Sequence, residues 1–177
     1  SSIEAKTFNN CSSLTEIKIP KSVIKIGEKA FCRCSSLKKI SIPISIISIA
    51  KGSFYMCSSL TEISIPSTIT NIEDYTFYKC VSLSKITLYS SISDIGKYAF
   101  YECKSLSKFE IPELIKTIGS FAFAKCSSLD IKSIPKSIRI FGNGCFNGCT
   151  LLSAGIKKEI NDIYRMPNYR YYYYLYN

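Results

Sequence analysis

The chain has 177 residues, 46% of them hydrophobic and 20% charged, so it is a folded protein with a real core, not a disordered one. It contains neither His nor Trp, which removes Ser-His and Cys-His catalytic designs and the commonest metal ligand. Its net charge of +10 suits nucleic acid, anionic membrane or acidic partners, but lysines also solubilise repeat surfaces and blunt sheet edges.

The opening stretch "SSIEAKTFNN" shows no signal-peptide pattern and no initiator Met, and so carries no information on targeting. No run of 18 apolar residues occurs, so no transmembrane helix is expected. From Phe8 onward a period of 23 residues governs the chain. Phe8, Phe31, Phe54, Phe77, Phe100, Phe123 and Phe146 keep it. So do Cys11, Cys34, Cys57, Cys80, Cys103, Cys126 and Cys149, and a Leu follows three residues after each of them.

One unit reads L-x-x-I-x-I-P-x-x-I-x-x-I-G-x-x-A-F-x-x-C-x-S. The alternating, β-branched L-x-x-I-x-I predicts a short strand, first at 14–19 and then once per unit. Proline cannot donate to a sheet ladder and ends that strand at Pro20, Pro43, Pro66, Pro112 and Pro135, with Tyr89 standing in once. A second extended piece, I-x-x-I, leads to a turn where Gly27, Gly96, Gly119 and Gly142 are expected to supply backbone freedom. The A-F-x-x-C segment is expected as a turn or short helical corner with Phe as its core plug. Near 130, Lys132 stands where Ile is expected and Ile131 stands beside it, which predicts a strand bulged or slipped by one residue. After Cys149 the pattern fades. Stacked in register, the units give parallel strands roughly 4.8 Å apart and a rod on the order of 30 Å long.

The units "SLTEIKIPKSVIKIGEKAFCRC" (13–34) and "SLSKITLYSSISDIGKYAFYEC" (82–103), with all neighbours like them, resemble the leucine-rich repeat in its BspA-like class. The resemblance covers residues 1 to about 152. It implies a repeat fold, a right-handed solenoid of parallel short strands with six complete 23-residue coils and partial ends. The solenoid is assigned to residues 1–155 and a C-terminal cap or Tyr-rich tail to 156–177. The resemblance further implies a non-enzymatic scaffold that binds proteins, at the cell surface or secreted, in adhesion to a host or matrix protein. The alternative is an intracellular structural component, for example cytoskeletal, held by a neighbouring subunit of a larger assembly. Nine cysteines, an odd number, fit a reducing compartment better than a secreted one.

The cysteine column is read as structural, because in-register neighbours hold their Cβ atoms about 5 Å apart, longer than a disulfide prefers. Neither a C-x-x-C pair nor a His is present to complete a zinc site. On the strand face Glu16, Glu62 and Glu110 alternate with Lys39, Lys85 and Lys108 as a mixed solvated surface, not an acid/base pair. No catalytic residue, cofactor or metal is therefore expected. That face lacks an aromatic stripe, so nucleic acid is not an expected partner either.

Candidate partner-binding residues are Lys39, Lys85 and Lys108 together with six aromatics at repeat spacing. Tyr55, Tyr78 and Tyr101 recur between Phe and Cys, and Tyr75, Tyr98 and Phe121 recur just before the A-F corner. The six should gather on one edge, where they either anchor an interface or shield the coil corners. Arg33, Lys79 and Lys125 beside them offer cation–π contacts or attraction for an acidic partner. The tail "YRMPNYRYYYYLYN" (164–177) holds seven of the thirteen tyrosines and reads as an extra strand over the last coil or as a docking segment.

Overall fold

The structure is a computed structural model and describes residues 1–164. The strands on one side of each coil are β2 (Glu16–Lys18), β4 (Lys39–Ser41), β6 (Glu62–Ser64) and β8 (Lys85–Thr87). They alternate along the chain with β1 (Ser2–Ile3), β3 (Lys25–Ile26), β5 (Ser48–Ile49), β7 (Asn71–Ile72) and β9 (Asp94–Ile95). The chain then continues through β10 (Thr117–Ile118), β11 (Ile140–Phe141) and a helix, α1 (Ala154–Tyr164). All pairing is parallel, between residues 23 apart, so Glu16 lies beside Lys39, Lys39 beside Glu62 and Glu62 beside Lys85. The fold is a β-solenoid of about six turns.

The first face is the sheet β2-β4-β6-β8, and the second is divided into β1-β3-β5 and β7-β9-β10-β11. None of Gly27, Gly96, Gly119 and Gly142 has a positive φ, so the expected role in backbone freedom is corrected to one of close approach. A Cβ on Gly142 would lie 2.1 Å from the Ser120 nitrogen of the preceding coil. Ala50 and Glu73 occupy the same column; the ladder continues from β3 to β5 at Ala50 and is interrupted between β5 and β7, at the coil that carries Glu73.

The A-F-x-x-C corner is a turn without helix, and its backbone follows one scheme in every coil. Alternate N–H groups reach the next coil: Lys29 to Lys51 O, Phe31 to Ser53 O and Arg33 to Tyr55 O, at 2.7–3.1 Å. The intervening ones turn back three residues, Ala30 to Gly27 O, Cys32 to Lys29 O and Cys34 to Phe31 O. This alternation places two residues per coil at φ near +60°, and non-glycine residues hold most of those positions. One column runs Lys6, Lys29, Gly52, Tyr75, Tyr98, Phe121, Gly144, and the other Asn10, Arg33, Met56, Lys79, Glu102, Lys125, Gly148. An L-residue there costs roughly 1–2 kcal/mol, offset by corner amides that find acceptors in the next coil from Lys6 to Lys125.

Inside the corner the seven phenylalanines stack from Phe8 to Phe146 with centroids 5.0–5.5 Å apart. The cysteines lie under them, and from Cys34 to Cys149 each ladder thiol donates to the Phe carbonyl of the preceding coil, as Cys57 does to Phe31 at 3.1 Å. Near 130 the expected slip has a visible reason. Phe109 replaces the usual Ile and reaches Phe123 of the next coil at 4.8 Å. Ile131 is buried beside it, Lys132 turns to solvent, and no strand forms. Ile131, placed on the outer face by the repeat, therefore belongs to the core.

Helix α1 covers the end of the core against β11. Ser153 Oγ accepts the Ile156 N–H at 3.2 Å as an N-cap, and Ile156 and Ile160, one turn apart, are buried. The Tyr164 hydroxyl donates to the Gly142 carbonyl at 2.9 Å. Residues 165–177, and with them the expected cap strand or docking tail, lie outside the described residues.

Candidate functional site

The six aromatics singled out by spacing come together on the corner as two adjoining ladders. Tyr55, Tyr78 and Tyr101 stack at 4.7 and 5.1 Å, and Tyr75, Tyr98 and Phe121 stack at 5.1 and 5.2 Å. Tilted contacts of 5.6–6.5 Å, from Tyr75 to Tyr78, Tyr78 to Tyr98 and Tyr98 to Tyr101, knit the two into one patch. All six rings are half-buried. Tyr75, Tyr98 and Phe121 sit at positive φ, where the coils on either side use Gly52 and Gly144. Bulky aromatics are thus held where glycine would be unstrained, at a backbone cost that stacking offsets by about 0.5–1.5 kcal/mol per pair.

Charged groups frame the patch. Lys51 Nζ lies 5.3 Å from the Tyr75 centroid, Lys79 Nζ 5.5 Å from Tyr78 and Lys125 Nζ 5.1 Å from Tyr101. Glu102 pairs with Lys125 at 3.1 Å and with Lys79 at 3.9 Å. Burial alone would raise its carboxyl, but the Lys125 hydrogen bond and the Lys79, Lys125 and Lys104 charges outweigh that and hold it below the ordinary value. Lys125 is raised by its bonds to Tyr101 and Glu102. Burial pushes the Tyr75 and Tyr78 hydroxyls up, so they remain donors.

Lys39, Lys85 and Lys108 occupy the strand face rather than this corner. Lys39 pairs with Glu62 at 3.3 Å, and Lys85 and Lys108 lie on neighbouring rungs. Lys51, Glu102 and Met56 belong to the aromatic corner or its border without having been singled out by residue type. The signal for Glu102 and Met56 is their column, Arg33, Met56, Lys79, Glu102, Lys125, read down the 23-residue period. All nine cysteines are free thiols and only Cys11 is exposed. Burial pushes Cys34 up to about 11 and Cys80 to about 12, so these thiols are protonated and inert near neutral pH. Among the described residues no group of three His, Cys, Asp or Glu is placed to hold a metal ion. No helix among them is long and apolar enough to cross a membrane.

The family described as "BspA type Leucine rich repeat region" matches residues 1–63 and 47–173, with six copies of its repeat. The chain belongs to the BspA-type leucine-rich repeat family. Of solved structures, the T. pallidum leucine-rich repeat protein (TpLRR) is 30% identical, with a TM-score of 0.85 over 92% of this chain and 76% of that one. A leucine-rich repeat protein from Bacteroides ovatus is 34% identical, with a TM-score of 0.70 over 77% of this chain and 35% of its own. This BspA-type chain thus spans about a third of the B. ovatus protein. No curated protein matches it. In this family member the repeated geometry of the coil lies in the Phe and Cys columns, and the aromatic corner is written on positions that vary from coil to coil.

Proposed function

We propose that this chain is a non-enzymatic, protein-binding scaffold acting in adhesion at the cell surface, with the aromatic corner as its contact surface. Leucine-rich repeat proteins generally bind proteins, which supports the scaffold. The observation that carries the contact surface is the choice of Tyr75, Tyr98 and Phe121 at positive φ between coils that use glycine there. The resulting patch pairs rigid area with polar tips, the composition of an interface anchor. A preformed solenoid also loses little entropy on association. The buried thiols leave the compartment open, since eight of the nine cysteines are shielded from oxidants and the six ladder thiols from Cys34 to Cys149 each donate to a carbonyl.

Replacing Tyr75 and Tyr98 by Gly removes the rings and relieves the strained backbone together, so the loss of ring contacts is partly offset and the chain should keep its native circular-dichroism spectrum. Binding to immobilised extracellular-matrix proteins should fall at least tenfold. Unchanged binding would leave the corner as packing alone. Protease shaving of intact cells tests the surface reading, and protection of the chain would favour the intracellular structural role.

A further inference from the structure

Resting on the aromatic corner as the binding surface, we propose that its partner is an acidic segment in the polyproline II conformation. Its carboxylates fall on every third residue, and it lies along the solenoid axis beside Tyr55, Tyr78 and Tyr101. The rings of that ladder stack on each other at 4.7 and 5.1 Å, so their faces are taken and a partner meets edges and hydroxyls. A sugar or nucleobase that needs an open aromatic face finds none between these rungs. An edge is the positive side of the ring quadrupole and, with a phenolic hydroxyl, favours acceptors.

The cations set the spacing. Arg33, Lys79 and Lys125 hold the same repeat position in alternate coils, all at positive φ. Two rungs of the ring ladder separate each from the next, which is about 10 Å. A polyproline II helix has three residues per turn and rises about 3.1 Å per residue, so every third side chain returns to one side after about 9.3 Å. A β-strand returns after about 6.8 Å and falls out of step. Beside the first part of the cation line, from Arg33 to Lys79, runs an open groove of about 530 Å³, lined among others by Ser35, Met56, Ser58 and Val81.

Glu102 supplies the discrimination. It stands between Lys79 and Lys125 and pairs with both, and each ammonium keeps further donors for a ligand. A carboxylate brought to the Glu102 rung is repelled, so spacing by two rungs is favoured over a uniformly acidic chain.

The test is a titration of the full chain with the 12-residue peptides (Glu-Pro-Pro)4, (Gln-Pro-Pro)4 and (Glu-Pro)6, blocked at both ends. The peptides contain no tyrosine, so tyrosine emission of the protein or calorimetry reads binding. (Glu-Pro-Pro)4 should bind at least tenfold more tightly than either control, and more weakly as salt rises. The triple variant R33Q/K79Q/K125Q should lose that margin while keeping a native circular-dichroism spectrum, and E102Q should let (Glu-Pro)6 approach (Glu-Pro-Pro)4. Absence of (Glu-Pro-Pro)4 binding overturns the proposal, as does equal binding of (Glu-Pro)6, of an acidic helical peptide or of a 12-nucleotide single strand. If peptides fail while matrix binding still depends on Tyr75 and Tyr98, only the partner chemistry falls. If neither responds to those tyrosines, the corner itself falls as a site.

Discussion

Cys57 donates its thiol proton to the Phe31 carbonyl at 3.1 Å, and Cys80, Cys103, Cys126 and Cys149 repeat the contact one coil further each time. The carbonyl also accepts its own coil's Cys34 N–H, so the thiol uses a second lone pair that would otherwise be buried without a partner. This is why cysteine recurs rather than alanine: it fills the corner and satisfies an acceptor. The same burial makes the thiols reluctant acids, with Cys80, Cys145 and Cys149 pushed from 9.0 to about 12. Unfolded thiols ionise near pH 9 while folded ones keep their protons, so unfolding above pH 9 releases protons. Stability is full below pH 9 and should fall as pH rises from 9 towards 12, by up to about 1.4 kcal/mol per pH unit for each such thiol. Melting temperatures measured between pH 8 and 11 check this. A flat profile would contradict it. A thiol reagent should modify Cys11 in the native chain and all nine cysteines after denaturation.

At the scale of the coil, one column brings the backbones of neighbouring coils into their closest approach. Gly142 leaves no space for a Cβ, with the Ser120 nitrogen 2.1 Å away, and backbone cannot give way as a flexible side chain does. Gly142→Ala should therefore destabilise the chain by about 1–3 kcal/mol, read as a fall in the denaturation midpoint. Ala50 stands in the same column with β3 and β5 still paired, so a methyl is accommodated there, whereas at the larger Glu73 the pairing between β5 and β7 is absent. Glu73→Gly should let the Asn71–Ile72 rung close on Ser48–Ile49, seen as slower amide exchange at those residues. Unchanged exchange would show that Glu73 is not the cause. The column of glycines was visible in the sequence as a period, but its purpose was not. Periodicity reports that a small residue recurs, whereas contact with the preceding coil shows which backbone it must avoid.

Across the whole molecule each coil touches only its neighbours, so the ends decide how the core is closed. The C-terminal end is covered by α1, whose Ile156 and Ile160 enter the same core as the phenylalanine stack. Ile160→Ala should cost about 2–4 kcal/mol, checked by chemical denaturation, with unfolding starting from the last coils. The helix was the element least legible in advance. Two isoleucines four residues apart after a capping serine are a weak signal once the repeat has ended. By contrast the order and register of the strands followed from the 23-residue period, because stacking identical units allows one register only.

The sequence by itself determined the solenoid, its parallel strands, the phenylalanine core and the gathering of six aromatics on one corner, since all of these depend only on period and residue type. It could not show that Tyr75, Tyr98 and Phe121 sit at positive φ, that Lys51 and Glu102 frame the patch, or that Ile131 turns inward beside Phe109. Those follow from where one coil's backbone and side chains meet the next, a separation of 22 to 26 residues that no local pattern encodes. Only the tertiary structure decides them.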